Sequence, residues 1–571
     1  MASQQVESLE TFIAGLMTPL EAFYEREATQ ADEICFIQPY PDGSIEEISW
    51  RQVGEQVRKM ASYLQALDFA PGSNIAILSN NCAHWIMADL AIWMSGHTSV
   101  PLYPVLTANS VEQILSHSGA KAIFAGKLPG FVQMRPGIPH GVQILTFPLS
   151  PGEARRAYTD WDEVVATSTE LTDSPARSLD ELATIIYTSG TTGVPKGVMH
   201  SFQTLALVGK QAGHIYDMSS ADRKLSYLPM AHVAERVAIE INQLYYGYKT
   251  YFSDSLATFA EDLRRARPTL CFAVPRIWTK FQQRVLEQIP QEELHRLLSN
   301  PEEAEQARAL VLGGLGLDQT RVGVSGAAPL PTALIEWFQM LGIEILEGYG
   351  MTENFAYSHS TRSGESRVGY VGTPSNYVQC KLGDSGEIMV KSPANMLGYY
   401  KEPQLTAEAF DPEGFLHTGD KGETDAHGRL KITGRIKEIF KTSKGKYVAP
   451  APIENLLSRN TRLEQVCVTG AEQPAPIGLA TLSESACEHL VNGGSVGEII
   501  SELESLLIET NSKLDKHEQL ATLVIFRRAW SIEDNLVTPT LKIKRSEIDK
   551  SFGESFDRWS AAPERVIILT E

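Results

Sequence analysis

Four groups of residues carry chemistry by type and spacing. The first is "YTSGTTGVPKGV", Tyr187 to Val198, where an apolar run gives way to hydroxyls, glycines and one lysine. Small residues let a backbone approach a ligand closely, and backbone N–H groups bind phosphate oxygens. Thr188, Ser189, Thr191 and Thr192 add hydroxyl donors around Gly190 and Gly193, and Lys196 adds a mobile positive charge. The stretch suits phosphate. It lacks the G-x-x-x-x-G-K-[ST] spacing of a Walker A loop, and composition alone leaves a flexible surface turn open. The second group is two carboxylates, Glu353 in "YGMTE" and Asp420 in "HTGD". The third is a basic run in which Lys431, Arg435, Lys437, Lys441, Lys444 and Lys446 face one acid, Glu438. The fourth is Lys542 in "LKIKR". On their own, a "GD" turn reads as turn chemistry and "LKIKR" as a solvated basic edge. His232 in "LPMAH" follows a strand end, where histidines are commonly unremarkable.

These residues need elements to hold them. Between 45 and 105 the pattern alternates helix and strand. "SWRQVGEQVRKMASYLQAL" puts Val53, Val57, Met60, Ala61 and Leu64 on one helical face, and "NIAILSNN" reads as a buried strand ending in turn residues. "HWIMADLAIWMSG" and "KAIFAG" repeat the helix and the strand. Such alternation implies a covered parallel sheet. "KLSYLPMAH", "TLCFAVP", "RVGVSGAAPL" and "IEILEGYGMTE" each run from a buried strand into a polar or glycine-bearing loop. In open α/β sheets ligands sit beyond the carboxyl ends of strands, so several of these loops are expected to face one cleft. From about 368 to 433, "SGEIMVKS", "GFLHTGDKGE" and "GRLKITGR" read as short strands with tight turns, a small β-barrel or sheet. "SLLIETNSKLDKHEQLATLVIFRRAW" reads as helix then strand, and a domain junction is expected near Gly434 to Lys437.

The bulk numbers narrow the function. At 571 residues the chain exceeds one ordinary core. A net charge of -20 argues against nucleic acid in bulk, so a polyanionic ligand needs locally concentrated cations. The 6 cysteines form no CxxC pair, which implies a reducing compartment and no structural zinc. The absence of Lys and Arg before Arg26 argues against a secretory or transit peptide. No apolar run reaches the roughly 20 residues of a membrane span. The expected location is cytoplasmic, with peripheral contact at a membrane surface left open.

More than the first motif is familiar. "YTSGTTGVPKGV" resembles the phosphate loop of the adenylate-forming superfamily of acyl-CoA synthetases, luciferases and peptide-synthetase adenylation domains. "SGAAP", "YGMTE", "HTGD", "GRIKEIFKTSKGKYVAP" and "PTLKIKR" follow in that superfamily's order, and the resemblance spans nearly the whole chain. "LPMAHVAER" and the run from "GFLHTGD" to "GKYVAP" look most like medium- and long-chain fatty acyl-CoA synthetases.

The resemblance implies an α/β fold. A large N-terminal acyl- and ATP-binding domain over 1–434 would combine two parallel-sheet βα subdomains with a small β-barrel over about 355–433. A small mobile α+β C-terminal domain over 435–571 would carry the hinge, the thiol site and the catalytic lysine. It implies an ATP-dependent ligase that converts a fatty carboxylate to acyl-AMP, releasing pyrophosphate, then passes the acyl group to CoA and releases AMP. An acyl-AMP ligase loading a carrier-protein phosphopantetheine, and a catalytically silent nucleotide-binding scaffold, are the competing readings.

Residue roles follow from the same resemblance. Lys542 would neutralise the carboxylate and the α-phosphate, Thr352 would contact that phosphate, and His232 would gate the acyl pocket. Glu353, with Thr188, would hold Mg²⁺. Thr188 to Gly193 and Lys196 would cradle phosphates; Tyr349 and Gly350 would flank adenine, with Gly326, Ala327 and Ala328 as the opposing wall. Asp420 and Arg435 would take the ribose, Lys437 would be the hinge, and Lys441, Lys444 and Gly445 would form the CoA site. One departure is "GKYVAP" where fatty-acid-type members often have "GEYVAP", which adds the charge of Lys446 near the thiol site.

Overall fold

A computed structural model describes residues 8–189, 195–328, 330–538 and 541–569. The expected alternation is present. Helix Trp50–Ala66 buries Val53, Val57, Met60, Ala61 and Leu64. It starts at a capping box, with the Ser49 hydroxyl accepting from Gln52 N–H and the Gln52 side chain accepting from Ser49 N–H. Helix Ala83–Met94 is buried on every side, as its nearly continuous apolar sequence demands.

The N-terminal part is built on three mixed sheets. In the eight-stranded sheet, Thr98–Leu102, Asn74–Leu78, Ala122–Ala125 and Gln143–Thr146 run parallel. Beside Thr98–Leu102, Leu182–Ser189 turns back antiparallel into Pro195–Ser201. A four-stranded sheet joins Arg223–Ser226, Lys249–Phe252 and Ile34–Pro39 in parallel to antiparallel Ile45–Ser49. A five-stranded sheet runs parallel through Leu270–Phe272, Val322–Ser325 and Ile345–Tyr349, then closes with two short antiparallel strands. Where a small barrel or sheet was expected, the described residues form an open antiparallel sheet of Gln379–Leu382, Glu387–Lys391, Leu416–Thr424 and Leu430–Arg435. Four short strands give too little width to close on themselves.

Beyond Arg435 a separate four-stranded sheet, with Leu463–Thr469, Ile477–Leu482, Leu523–Phe526 and Val566–Ile568, packs helix Val496–Ser512 through Ile499, Leu503 and Leu507. The helix-then-strand pattern around 505–526 is present as expected.

One buried ionic cluster ties the N-terminal layers together. The Arg236 guanidinium, fully buried, bonds Asp89, reaches Glu240 Oε2 at 2.8 Å and donates to Thr184 Oγ1 at 2.6 Å. It lies 5.6 Å from the ring centre of Trp85 and 5.5 Å from that of Trp93. Burial works against its charge, but Asp89 and Glu240 outweigh that and keep it protonated. Removing one partner from such a cluster leaves a buried charge uncompensated, a loss of about 3–5 kcal/mol. The cluster locks strand Leu182–Ser189 against the helical turn that follows His232.

Candidate functional site

The hairpin of Leu182–Ser189 and Pro195–Ser201 presents Thr188 directly across from Lys196. Gly190, Thr191, Thr192, Gly193 and the side chain of Ser189 lie outside the described residues. Lys196 Nζ sits 5.3 Å from the Tyr399 ring centre, and the Tyr399 hydroxyl donates to Glu353 Oε1 at 2.9 Å. The phosphate hairpin is thereby connected to the carboxylate through an aromatic ring.

Thr352 and Glu353 occupy a 3₁₀ turn after strand Ile345–Tyr349. The turn coils back on itself, with Ala356 N–H donating to Met351 O at 2.9 Å. Phe355 and Ala356 have φ of 50° and 57°. Gly350 is required there, because a Cβ on it would lie 2.4 Å from the Ala356 carbonyl carbon. His200, on the phosphate hairpin, donates from Nε2 to Thr352 O at 2.7 Å. Burial pulls the His200 imidazole down to about 3, so it is neutral with its proton on Nε2.

Tyr349 is almost fully buried, and its hydroxyl donates to Asp420 Oδ2 at 2.7 Å. The other oxygen of Asp420 faces Arg435 Nε at 3.0 Å, and the two residues are directly paired across the strands Leu416–Thr424 and Leu430–Arg435. Gly326, Ala327 and Ala328 follow strand Val322–Ser325. Ala327 takes a left-handed φ of 67°, and both alanines are exposed to the cleft side. A Cβ on Gly326 would press to 3.0 Å from Gly348 O, so this wall sits close against the Tyr349 strand.

His232 caps the short helix Val233–Glu235, its Nδ1 accepting from Ala234 N–H at 3.1 Å. Burial, helped by the charge of Lys542, holds its imidazole down to about 4. It is a neutral ring with its proton on Nε2. Glu235 ties the turn back to its strand by accepting from Tyr227 N–H at 2.9 Å and the Ser226 hydroxyl at 3.0 Å. Burial pushes the Glu235 carboxyl up to about 8.

Lys542 comes from the far end of the chain. Val537 and Ile543 pair antiparallel, Thr538 N–H donates to Lys542 O at 2.8 Å, and Lys542 N–H donates to Thr538 Oγ1 at 3.0 Å. Pro539 and Thr540 lie outside the described residues. The ammonium still touches water, but the crowded walls of the cleft lower its pKa, and Arg435 adds to that. Asp420, Glu353 and Glu438 oppose the shift. Lys542 is near enough for the charges of Arg435, Asp420 and Glu353 to act on it and for its own charge to act on His232.

The thiol-site candidates are elsewhere. Lys441 and the exposed Lys444 belong to the hairpin of Phe440–Lys441 and Tyr447–Val448, with Gly445 at its tip at φ 76°. Lys441 Nζ lies 5.6 Å from the Tyr447 ring centre, and the hairpin backbone bonds Glu472 and Gln473. Lys437 is exposed in the 3₁₀ turn Ile436–Glu438. Arg435, Asp420, Glu353 and Glu438 thus act electrostatically on Lys542, and the recorded contacts of the basic hairpin are with its own residues and the 472–473 turn.

Sequence reasoning missed His200, Tyr399 and Glu235. His200 lies two residues past the quoted stretch, with nothing local to mark it. Tyr399 is 46 residues from Glu353 and carried no local signal. As for metal, among the described residues no group of three or more His, Cys, Asp or Glu is arranged to hold an ion. Glu353 has one oxygen on Tyr399 and the other without a hydrogen bond. That donor set fits Mg²⁺ taken up with substrate phosphates and water, the usual habit of this ion.

Comparison with known proteins agrees with this arrangement. A family model described as AMP-binding enzyme matches residues 23–400, and one described as AMP-binding enzyme C-terminal domain matches 437–561. The chain is 28% identical to "Long chain acyl-CoA synthetase 6, peroxisomal" of Arabidopsis thaliana, over 90% of this chain and 82% of that protein. It is also 28% identical to "Long-chain-fatty-acid--CoA ligase FadD15" of Mycobacterium bovis, over 94% of this chain and 95% of that one. The adenylation domain of a carboxylate reductase from Mycobacterium chelonae superposes with a TM-score of 0.80 at 23% identity, covering 96% of this chain and 91% of that chain. With family models matching both the sheets that build the cleft and the segment that brings Lys542, the chain belongs to the AMP-binding enzymes.

Proposed function

We propose that the chain is an ATP-dependent fatty acid–CoA ligase: it adenylates a fatty carboxylate with release of pyrophosphate, then forms the CoA thioester with release of AMP. The observation that carries this reading is Lys542 standing in electrostatic reach of Asp420, Glu353 and His232. A carboxylate is a poor acyl donor until its oxygen becomes part of a good leaving group. Joining it to ATP brings two anions together, so charge neutralisation is the main catalytic demand.

Lys542 supplies a point charge on a flexible stem between carboxylate and α-phosphate. Thr352 orients that phosphate from a turn pinned by His200. Asp420 and Arg435 hold the ribose, Tyr349 and Gly350 border adenine opposite Gly326 to Ala328, and the hairpin with Thr188 and Lys196 receives the outer phosphates. Neutral His232 lines the acyl entrance without adding a competing charge. Glu353 and Thr188 would hold Mg²⁺, which would add to the neutralisation of the triphosphate.

The second half-reaction needs room for a thiol where Lys542 stands. The domain division follows: 1–434 binds acid and ATP, with the small-sheet region at about 355–433, and 435–571 swings at Lys437 to bring Lys441, Lys444 and Gly445 to the cleft. The relatives named as long-chain ligases support the fatty acid and CoA as substrates. Among the described residues no helix is long and apolar enough to cross a membrane. A cytoplasmic location with peripheral membrane contact is the corresponding proposal. The test is AMP release dependent on acid, ATP and CoA, across acids from short to long chain. Production of ADP, or transfer to a carrier protein with no free acyl-CoA, would replace the reading.

A further inference from the structure

The reading above assigns the hinge to Lys437 but does not say what limits the pivot or what carries Lys542 with it. Arg545, three residues past Lys542, is largely buried and spans three segments. Its Nη1 donates to Glu454 Oε1 at 2.8 Å, on helix Pro450–Leu457, and to Val468 O on strand Leu463–Thr469. Its Nη2 reaches Glu438 Oε2 at 3.4 Å. Glu454 in turn accepts Val468 N–H at 2.7 Å. Glu438, the single acid of the basic run, is therefore tied to the body that carries Lys542, although 107 residues separate it from Arg545.

On the other side, Arg435 is tied to Asp420, and Asp420 to Tyr349, so Arg435 belongs to the sheet side of the cleft. Two ties thus flank the junction, and only Ile436 and Lys437 stand between them. Among the described residues the Lys437 side chain makes no ion pair or hydrogen bond.

We infer that Arg545 is a positioning residue which, by holding Glu438 in one body with the Lys542 turn, confines the pivot to Ile436–Lys437 and fixes where Lys542 arrives. The inference rests on the ligase reading for its kinetic consequence but not for its structural one. A rigid coupling matters because small displacements of a catalytic group cost large factors in rate. If Glu438 were loose, the rotating body would have a longer, softer leash and Lys542 would arrive over a spread of positions.

The test uses the full-length chain with Arg545→Gln, Arg545→Lys, Glu438→Gln and the Arg545→Gln/Glu438→Gln double variant. Three quantities are read: acyl-AMP formation, thioester formation from supplied acyl-AMP and CoA, and hydrogen–deuterium exchange over 434–446. Expected is a fall of about tenfold to a hundredfold in acyl-AMP formation for Arg545→Gln, with the thioester step within about twofold of wild type and part of the loss recovered by Arg545→Lys. Fast exchange should spread from Ile436–Lys437 into Glu438–Phe440. Glu438→Gln, on a partly exposed side chain, covers the case that Arg545→Gln fails to fold, and the double variant should be no worse than the larger single one. Equal slowing of both half-reactions, independent effects of the two substitutions, or exchange unchanged by either would overturn the inference. If the wild-type chain forms no acyl-AMP with any acid, the ligase reading fails, and the exchange pattern alone then decides: spreading supports the clamp and an unchanged pattern overturns it.

Discussion

The Tyr349–Asp420–Arg435 clamp and the Lys542 turn are built in opposite ways. Asp420 and Arg435 sit on paired strands and Tyr349 on the end of a strand of a second sheet; Asp420 bonds both of the others, and Tyr349 and Asp420 are 8% and 5% exposed. Lys542 sits on a turn closed by a few backbone bonds, beside Leu541, which is 54% exposed at a left-handed φ of 60°. One half of the site is rigid before substrate arrives. In the proposed function the other half is delivered by a separate body. Changes to the clamp should therefore disturb binding and stability together, whereas changes to the turn should disturb chemistry alone.

The largest effect should come from the turn. Lys542→Ala is expected to lower AMP release by about a hundredfold to a thousandfold, the range for losing one preorganised charge-stabilising group. Its melting temperature should stay near wild type, since the side chain supports no packing. A large drop in thermal midpoint would mean the turn is as structural as the clamp.

Asp420→Ala attacks the other half. It unpairs Arg435 and leaves the buried Tyr349 hydroxyl without an acceptor, a loss of about 1–3 kcal/mol. The KM for ATP should rise about tenfold or more, with a lower melting temperature. A KM effect with no stability change would make the clamp less integral than its geometry indicates. Gly350→Ala sharpens the same point: overpacking against Ala356 should cost about 1–3 kcal/mol and slow adenylation by displacing Thr352.

How much of this contrast could be read from the sequence follows the same divide. Although spacing alone left Asp420 as turn chemistry, Tyr349, Glu353 and Asp420 were singled out before any coordinates because their short motifs resemble those of the adenylate-forming superfamily. The partners that orient them were not. Tyr399 on Glu353 and His200 on Thr352 are contacts between segments 46 and 152 residues apart, and no periodicity encodes them. The same holds for Arg545 on Glu438: the sequence showed a basic run with one acid, not that the acid was claimed from 107 residues away. Helices Trp50–Ala66 and Ala83–Met94 and strands Asn74–Leu78 and Ala122–Ala125 were readable because their apolar spacing specifies them. The antiparallel additions to each sheet were not, because short strands carry little pattern. A closed barrel over about 355–433 was implied by resemblance, and the open sheet reflects the count of strands available there.

Acid should act on the buried histidines of the N-terminal part. Burial holds His84 and His200 down to about 3 and His232 and His359 down to about 4. Their folded values lie below the unfolded value of roughly 6.5, so the stability they contribute is present in full above that pH and is lost as pH falls toward 4. Glu235 and Glu347, raised to about 8 and about 7, oppose this as they release protons on unfolding in the same window, so thermal melts from pH 7 to pH 4.5 should show a net decline smaller than the four rings alone would give. A flat profile would contradict that balance.

The smallest effect belongs to Tyr399→Phe, which removes one hydrogen bond to Glu353 worth about 0.5–1.5 kcal/mol. The Mg²⁺ concentration needed for half-maximal activity should shift by only a few-fold, with the maximum rate preserved.

The most direct trial of a delivered lysine is single-turnover kinetics on each half-reaction, with Lys542→Ala and Lys437→Pro side by side. The account predicts a crossing: Lys542→Ala loses acyl-AMP formation yet converts supplied acyl-AMP to thioester at close to the wild-type rate, while Lys437→Pro does the reverse. Parallel losses of both steps in both variants would contradict it.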